Sequence, residues 1–461
     1  MTAFHRTTWN FALQRALEWS RELKKPLVIL DVRFCGDPWA NERLHHFALD
    51  GMAEIDRRLE GRRVVYYPYV EPRPNTGGAL PSALATHASA VVTDDFPDEY
   101  LQQIVREAAK RLPVLVEKVD ANGVLPFRAA PRVFGTAFSF RRFLQKELRS
   151  HLPKDPERDP LRKVALPARA HIPQEITKRW PRASRELLFG KRRDLGALRF
   201  NHDVGAVALR GGMKAAEAAL KRFVGKHLDD YAALRNHPDE DATSNLSPYL
   251  AFGHISVHQV LAAVMAHENV PVSRVGGKAT GGRRGWWRVG ESAEAFLDQL
   301  VTWRELGYNM SWQDPAHDRY SSLPGWARTT LADHAANPRP YRYSLRQLEA
   351  ARTHDALWNA AQTQLVREGR LHNYLRMLWG KKILEWTASP EEALDVMITL
   401  NNTYALDGRN PNSYSGIFWV LGRYDRAWGP ERQVFGKVRY MSSESTARKL
   451  RLKKYMEQYG R

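Results

Sequence analysis

The chain has 461 residues, of which 43% are hydrophobic, with a formal net charge of +19, one cysteine and 14 tryptophans. That length fits two domains with a large core. No apolar run of about 18 residues occurs and the first residues lack an apolar signal core, so neither a membrane span nor a leader is expected. Cys35 has no second cysteine to pair with, which suits a reducing cytosol, and the charge points to polyanionic partners, nucleic acid first.

In chain order, the first part reads as α/β. Apolar runs at 26–32 (PLVILDV), 63–70 (RVVYYPYV), 89–93 (SAVVT) and 113–119 (PVLVEKV) predict strands. Helical stretches at 8–23, 41–59 and 98–112 lie around them. Alternation predicts a parallel sheet, and strands without polar alternation predict burial on both faces. The chain opens on a helix, with no strand before it. A doubly wound domain usually begins with a strand, so either the start is placed too late or an internal strand has been lost.

From 138 to 199 the composition shifts to Pro, Arg and Lys. Lys178, Arg179, Arg182, Arg185, Lys191, Arg192 and Arg193 face a single acid, Glu186, and predict a connector with a solvated basic face. Beyond 200 apolar residues recur at three- and four-residue intervals over 214–223, 256–265, 293–306, 363–384 and 390–400, which predicts an all-helical domain. The domains expected are therefore 1–137, 138–199 and 200–461. The segment 276–290 (GGKATGGRRGWWRVG) predicts a flexible loop. The stretch 429–461 carries nine Lys/Arg against three Glu, suited to phosphates or to a solvated helix. His45-His46 and the pair His254/His258 read as packing or DNA-adjacent, with no metal.

Three later segments carry chemistry. In 371–386 (LHNYLRMLWGKKILEW), Trp379 and Trp386 are seven residues apart and share a helix face. Trp358 lies in an earlier helical stretch, LWNAAQ. The run 400–412 (LNNTYALDGRNPN) reads as a turn after a helix, and Trp419 in SYSGIFWVLG as core. Thr243, Ser244 and Asn245 in ATSNLSPYLAFGHIS precede a helix, where hydroxyls and free N–H groups suit a phosphate or form a plain N-cap.

Taken together, TSNLSPYLAFGHIS, WNAAQ, LRMLWGKKILEW, LNNTYALDGRNPNSY and FGKVRYM resemble the signature stretches of the class II cyclobutane pyrimidine dimer photolyases, as do VVTDDFP and RTTWNFALQRA. The resemblance runs from about Arg6 to Tyr455. It implies a Rossmann-like α/β antenna domain and an all-helical domain holding FAD, anionic and reduced in its active form. It implies a lyase that repairs dimers flipped out of damaged duplex DNA by light-driven electron transfer, acting as a cytoplasmic monomer. The antenna chromophore stays open.

The resemblance also assigns roles by position. Tyr231, Thr243, Ser244, Leu246 and Ser247 match contacts to the flavin phosphates and nearby groups. Arg376 and Asp407 match an ion pair beside the isoalloxazine, and Asn401 the amide facing its N5. Trp379, Trp358 and Trp386 match an indole relay for photoreduction. Trp303 and Trp419 match aromatic walls of the dimer pocket, and Met377 an apolar contact in it. Gln299 departs from the pattern, standing where a glutamate would bond the dimer carbonyls. It can donate through its amide but supplies no proton. A cryptochrome-like sensor is the main rival. Repair of the (6-4) photoproduct would need histidine acid/base work, for which His372 is the one obvious candidate.

Overall fold

The computed structural model describes residues 1–162, 164–167, 169–190 and 193–460; Lys191 and Arg192 of the basic run, and Arg461, lie outside the described residues. The chain forms two compact units. The first comprises Met1–Pro126, His151–Lys221 and Leu246–Ala263, and the second Phe127–Ser150, Arg222–Asn245 and Val264–Arg461. Residues 138–199 are thus shared between the units. Among the described residues no helix is long and apolar enough to cross a membrane.

The first unit is α/β. In order come α1 (Phe11–Glu22), β1 (Val28–Arg33), α2 (Glu42–Leu59), β2 (Val65–Val70), β3 (Ala90–Asp94), α3 (Glu99–Arg111) and β4 (Leu115–Val119). Each of the three helices starts at a side chain that accepts a first-turn N–H: Asn10, Asn41 and Asp98. The strands pair in parallel as two separate pairs, β1 with β2 and β3 with β4. Among the described residues no strand precedes α1. Instead the first residues are tied to one strand of each pair. The Met1 nitrogen donates to Leu30 O (2.7 Å), and the buried Asp94 carboxylate accepts from Thr2, Ala3 and Phe4 N (2.8, 2.9 and 3.1 Å).

Burial on both faces holds only for β2, whose six residues are all buried; Leu115 of β4 is 52% exposed. A pair two strands wide, with α2 on β1 and β2 and α1 on β3 and β4, is covered incompletely. In the basic run Lys178, Arg179, Arg182 and Arg185 are exposed, as a solvated face requires, while Arg193 is half-buried. Arg193 donates to Asp50 (2.8 Å) and to the carbonyls of His46 and Leu188, and Arg182 pairs with Asp56 at 2.6 Å. Arg179 and Arg185 lie over Trp180 and Phe189, because a guanidinium stem packs on aromatic faces. The histidines pack. His45 stacks on Phe200, and His258 meets Phe11 edge-on. His254 accepts from Gly212 N, and its burial lowers it to about 3, keeping it neutral.

The second unit is helical. It uses α4 (Ala137–His151, to Ser150 within this unit), α5 (Glu291–Leu297), a π-helical turn (Asp298–Trp303), α6 (Arg304–Gln313), α7 (Ala356–Glu368), α8 (Asn373–Trp386), α9 (Pro390–Tyr404) and α10 (Pro411–Val420). The apolar run at 363–384 is two helices, not one. Gly369, at φ 69°, ends α7 in the left-handed region that only glycine enters cheaply, and the chain turns before α8. The 410–412 stretch is a helix start rather than a turn: Asn410 caps α10 by accepting from Asn412 and Ser413 N, with Pro411 at the first helical position.

Helix α8 is buried over most of its length, Lys381 and Lys382 included, and packs against α7, α9 and α10. Two glycines set the close approaches. A Cβ on Gly380 would meet Val420 Cγ2 at 2.5 Å and Met397 Sδ at 3.0 Å. A Cβ on Gly307 of α6 would collide with Ser415 Oγ and meet Pro411 O at 2.8 Å, on α10. Gly307→Ala should therefore force α6 and α10 apart and lower the unfolding free energy by about 1–3 kcal/mol, read from chemical denaturation. An unchanged midpoint would show that the crossing is looser than described.

Candidate functional site

The site is built where the ends of α8, α9 and α10 meet. Gly369 O accepts Leu406 N at 2.8 Å, which brings the segment after α9 beside the start of α8. There Arg376 donates to Asp407 at 2.8 Å, a half-shielded pair. Asn401, 3% exposed in the last turn of α9, donates from Nδ2 to Ser413 Oγ (2.8 Å) and Asn402 Oδ1 (3.1 Å). Asn402 in turn accepts from Arg409 N and donates to Tyr414 OH, and Asn410 donates to Asp407 O. Asn401, Arg376 and Asp407, scattered along the sequence, are thus joined by one polar network. Met377 sits half-buried next to Arg376.

Trp419 lies half-buried near the far end of α10. Across the Gly307 crossing, α6 continues back into the π turn that carries Gln299 and Trp303, also half-buried. One turn earlier Phe296 packs on Tyr231 (5.4 Å between rings, edge-on) and on Phe223. Tyr231 is buried in this aromatic group, and burial raises its phenol, which stays protonated.

The indoles gather behind α8. Trp358 of α7 donates to Trp379 O (3.0 Å), Trp379 donates to Gln362 Oε1 (2.8 Å), and the rings of Trp358 and Trp386 lie 5.4 Å apart, edge to face. All three are buried. Beyond Trp386 come Tyr343 (5.3 Å) and His354 (5.4 Å), and His354 stacks on the exposed Tyr341 at 3.8 Å. Tyr341, Tyr343 and His354 were not picked out from sequence; RPYRY gives no periodic signal.

Thr243, Ser244 and Asn245 are half-buried in the second unit, held by Arg370, which donates to Asn245 Oδ1 at 2.7 Å. Leu246 and Ser247 belong to the first unit. Leu246 is the N-cap of a helix, Ser247–Ala251, and its apolar side chain makes no cap. His372 precedes α8; burial lowers it to about 4, leaving it neutral near pH 7.

No family model matches the chain. It is 35% identical to the deoxyribodipyrimidine photo-lyase of Methanothermobacter thermautotrophicus, over 99% of this chain and 93% of that one. It is 33% identical to that of Potorous tridactylus (97% and 78%) and 34% to that of Oryza sativa subsp. japonica (97% and 84%). The chain belongs to the photolyase/cryptochrome family. Solved photolyases share the fold. A bacterial class III photolyase from Agrobacterium tumefaciens gives a TM-score of 0.68 at 16% identity, covering 99% of this chain and 84% of that one. An archaeal photolyase from Sulfolobus tokodaii, solved with two FAD molecules, gives 0.64 at 13%, covering 99% and 86%. This photolyase-family chain accordingly combines an α/β unit with a helical one.

A second feature of the family member's site was not legible in sequence. Lys381, fully buried on α8, donates Nζ to Val420 O (2.5 Å) and lies 5.1 Å from the Trp419 ring. Arg439 also flanks Trp419 at 5.5 Å and is held by Asp425 (2.8 Å). Burial lowers the Lys381 ammonium to about 7; Asp425 opposes this and Arg439 adds to it. Below that value the folded protein holds a buried charge; between it and the ordinary lysine range the unfolded chain binds the extra proton, so stability gains as pH rises. Lys381→Met should therefore be favoured over the parent most at and below pH 7, with the advantage shrinking towards pH 10, measured by urea unfolding at several pH values. A pH-independent difference would contradict the buried titration.

Proposed function

We propose that the protein is a class II photolyase that repairs cyclobutane pyrimidine dimers in DNA under blue or near-ultraviolet light, with FAD as cofactor. The observation that carries this reading is the path along α10. Its N-terminal end is bonded to Asn401 and Asp407, its other end carries Trp419, and α6 with the π turn of Gln299 and Trp303 packs across it.

The donor set suits a flavin: a buried amide at Asn401, an arginine–carboxylate pair at Arg376 and Asp407, and the hydroxyls of Thr243 and Ser244 for phosphates. Tyr231, Leu246 and Ser247 are assigned to the same cofactor from the motif. Reduced FAD, when bound, supplies the photoexcited electron that opens the cyclobutane ring. Asn401 offers hydrogen-bonding at N5, and its own amide is oriented by Ser413 and Asn402. Arg376 fixes Asp407 and balances its charge. Trp303 and Trp419 wall the pocket by stacking on unpaired bases, Met377 fills it, and Gln299 donates to the dimer carbonyls. Trp379, Trp358 and Trp386 pass electrons inward when the flavin is oxidised, and Tyr343 extends that ladder.

One observation favours a second reading, a blue-light sensor without repair: Gln299 in place of an acidic residue. Burial lowers the half-buried His372 to about 4, which counts against it as the acid that the (6-4) alternative asks of a histidine.

The test is repair of a thymine-dimer oligonucleotide under blue light with a dark control. Light-dependent repair is expected. Photoreduction without repair would transfer the protein to the sensor reading, and a protein that takes up no FAD would reject both. Trp379→Phe should abolish photoreduction of the oxidised flavin, followed by absorbance, while the dithionite-reduced variant repairs at close to the parental rate. Equal photoreduction in both proteins removes Trp379 from the relay. Gln299→Glu should raise the repair quantum yield; an unchanged or lower yield would show that the amide suffices.

A further inference from the structure

The expected flexible loop 276–290 is pinned. Trp286 and Trp287 are buried and meet edge-on at 5.0 Å. Glu294 of α5, 4% exposed, accepts from Gly285 N (2.6 Å) and Trp287 N (3.2 Å). Gln145 of α4 accepts from Gly281 N (2.8 Å) and donates to Gly282 O (2.9 Å). Gly281 has φ +77°, and a Cβ there would meet Phe138 Cε2 at 2.9 Å, so no other residue fits that approach without displacement.

The central member of this network is Arg141, 6% exposed. Its guanidinium forks onto Asp298, Nε to Oδ1 at 2.7 Å and Nη2 to Oδ2 at 3.0 Å, while Nη1 donates to Gly281 O at 3.1 Å. One cation therefore grips both the loop and the first residue of the π turn. A buried ion pair adds little net stability over an apolar pair, but its forked geometry fixes the two segments it joins. The π turn is itself a widened helix of the kind found where a chain re-aims side chains. Along α5 and this turn the less buried positions are Glu291, Ser292, Ala295, Gln299 and Trp303, so Gln299 and Trp303 share the open face. The loop, meanwhile, leaves Lys278, Arg283, Arg284 and Arg288 exposed on a fixed backbone.

We propose that Arg141 is a positioning residue for the lesion pocket, tying the π turn of Gln299 and Trp303 to a cationic loop that grips phosphates of the lesion-bearing strand. The inference rests on the reading of the protein as a DNA-repair photolyase. Phosphates held by Arg283 and Arg288 fix the strand relative to the pocket only while the loop and the π turn move as one body. A lysine at 141 keeps the charge but loses the fork and the grip on Gly281.

The experiment measures binding of FAD-loaded protein to a thymine-dimer duplex across a salt series in the dark. Arg283→Ala/Arg288→Ala should reduce the slope of log affinity against log salt by about 2, because two phosphates are no longer neutralised. Arg141→Lys should weaken binding at least about tenfold and reduce the slope by about 1 or more, with the flavin absorption spectrum unchanged. In the Arg141→Lys background the double loop change should add less than about twofold, the signature of coupled sites. If Arg141→Lys does not fold, Gln145→Ala decides, because it releases the loop and leaves the ion pair in place; the same direction of change is expected. Parental affinity and slope in these variants, or losses that multiply independently, would overturn the proposal. Dark affinity is separate from light-driven repair, so a parent that binds the duplex but never repairs it defeats the functional reading instead.

Discussion

The helical unit depends on the near-contact between α6 and α10 at Gly307. With no side chain there, the backbone of α6 rests against Pro411 and Ser415. That crossing fixes α10, and α10 is the element to which the candidate site is attached. Ser413 and Trp419 are six residues apart on it, about 9 Å along the axis. The amide at Asn401 and the indole at Trp419 are therefore held at opposite ends of one short rigid rod. A cofactor and a flat substrate between them would be positioned by secondary structure rather than by loops.

The polar groups around Asn401 and the indoles are expensive to bury and are engaged with named partners. Asn401 and Asn402 form a chain with Ser413, Tyr414 and Arg409. Trp358 and Trp379 each donate their indole N–H to an acceptor on the neighbouring helix. Such networks orient amides and rings in one way only, and breaking one leaves an unpaired group at a cost of about 1–3 kcal/mol. The same logic explains why Lys381 can sit beside Trp419 at all. It gives its N–H to a carbonyl freed at the end of α10, and burial brings its deprotonated form within reach near neutrality.

The first unit obeys a different constraint. Its two strand pairs do not join, and the segment ahead of α1 is bonded to both through Leu30 and Asp94. Asp94 takes three consecutive N–H groups, which hold that segment in place without a strand ladder.

By itself the sequence determined the local elements. Strand and helix periodicity located the four strands and helices α1, α2 and α3 to within a few residues, because alternation and apolar spacing are properties of neighbours in the chain. The motifs also singled out Asn401, Arg376, Asp407 and the three indoles. Only the tertiary structure decided the rest. It split the 363–384 run at Gly369, since a positive φ is invisible to apolar spacing. It turned 410–412 from a turn into a cap, pinned the 276–290 loop through Arg141 and Gln145, and placed Lys381 under Trp419. Apart from the cap at Asn410, which is local, each of these rests on a partner more than ten residues away or on one backbone angle. Composition and periodicity carry neither, because a residue's neighbours in sequence do not specify what packs against it in space.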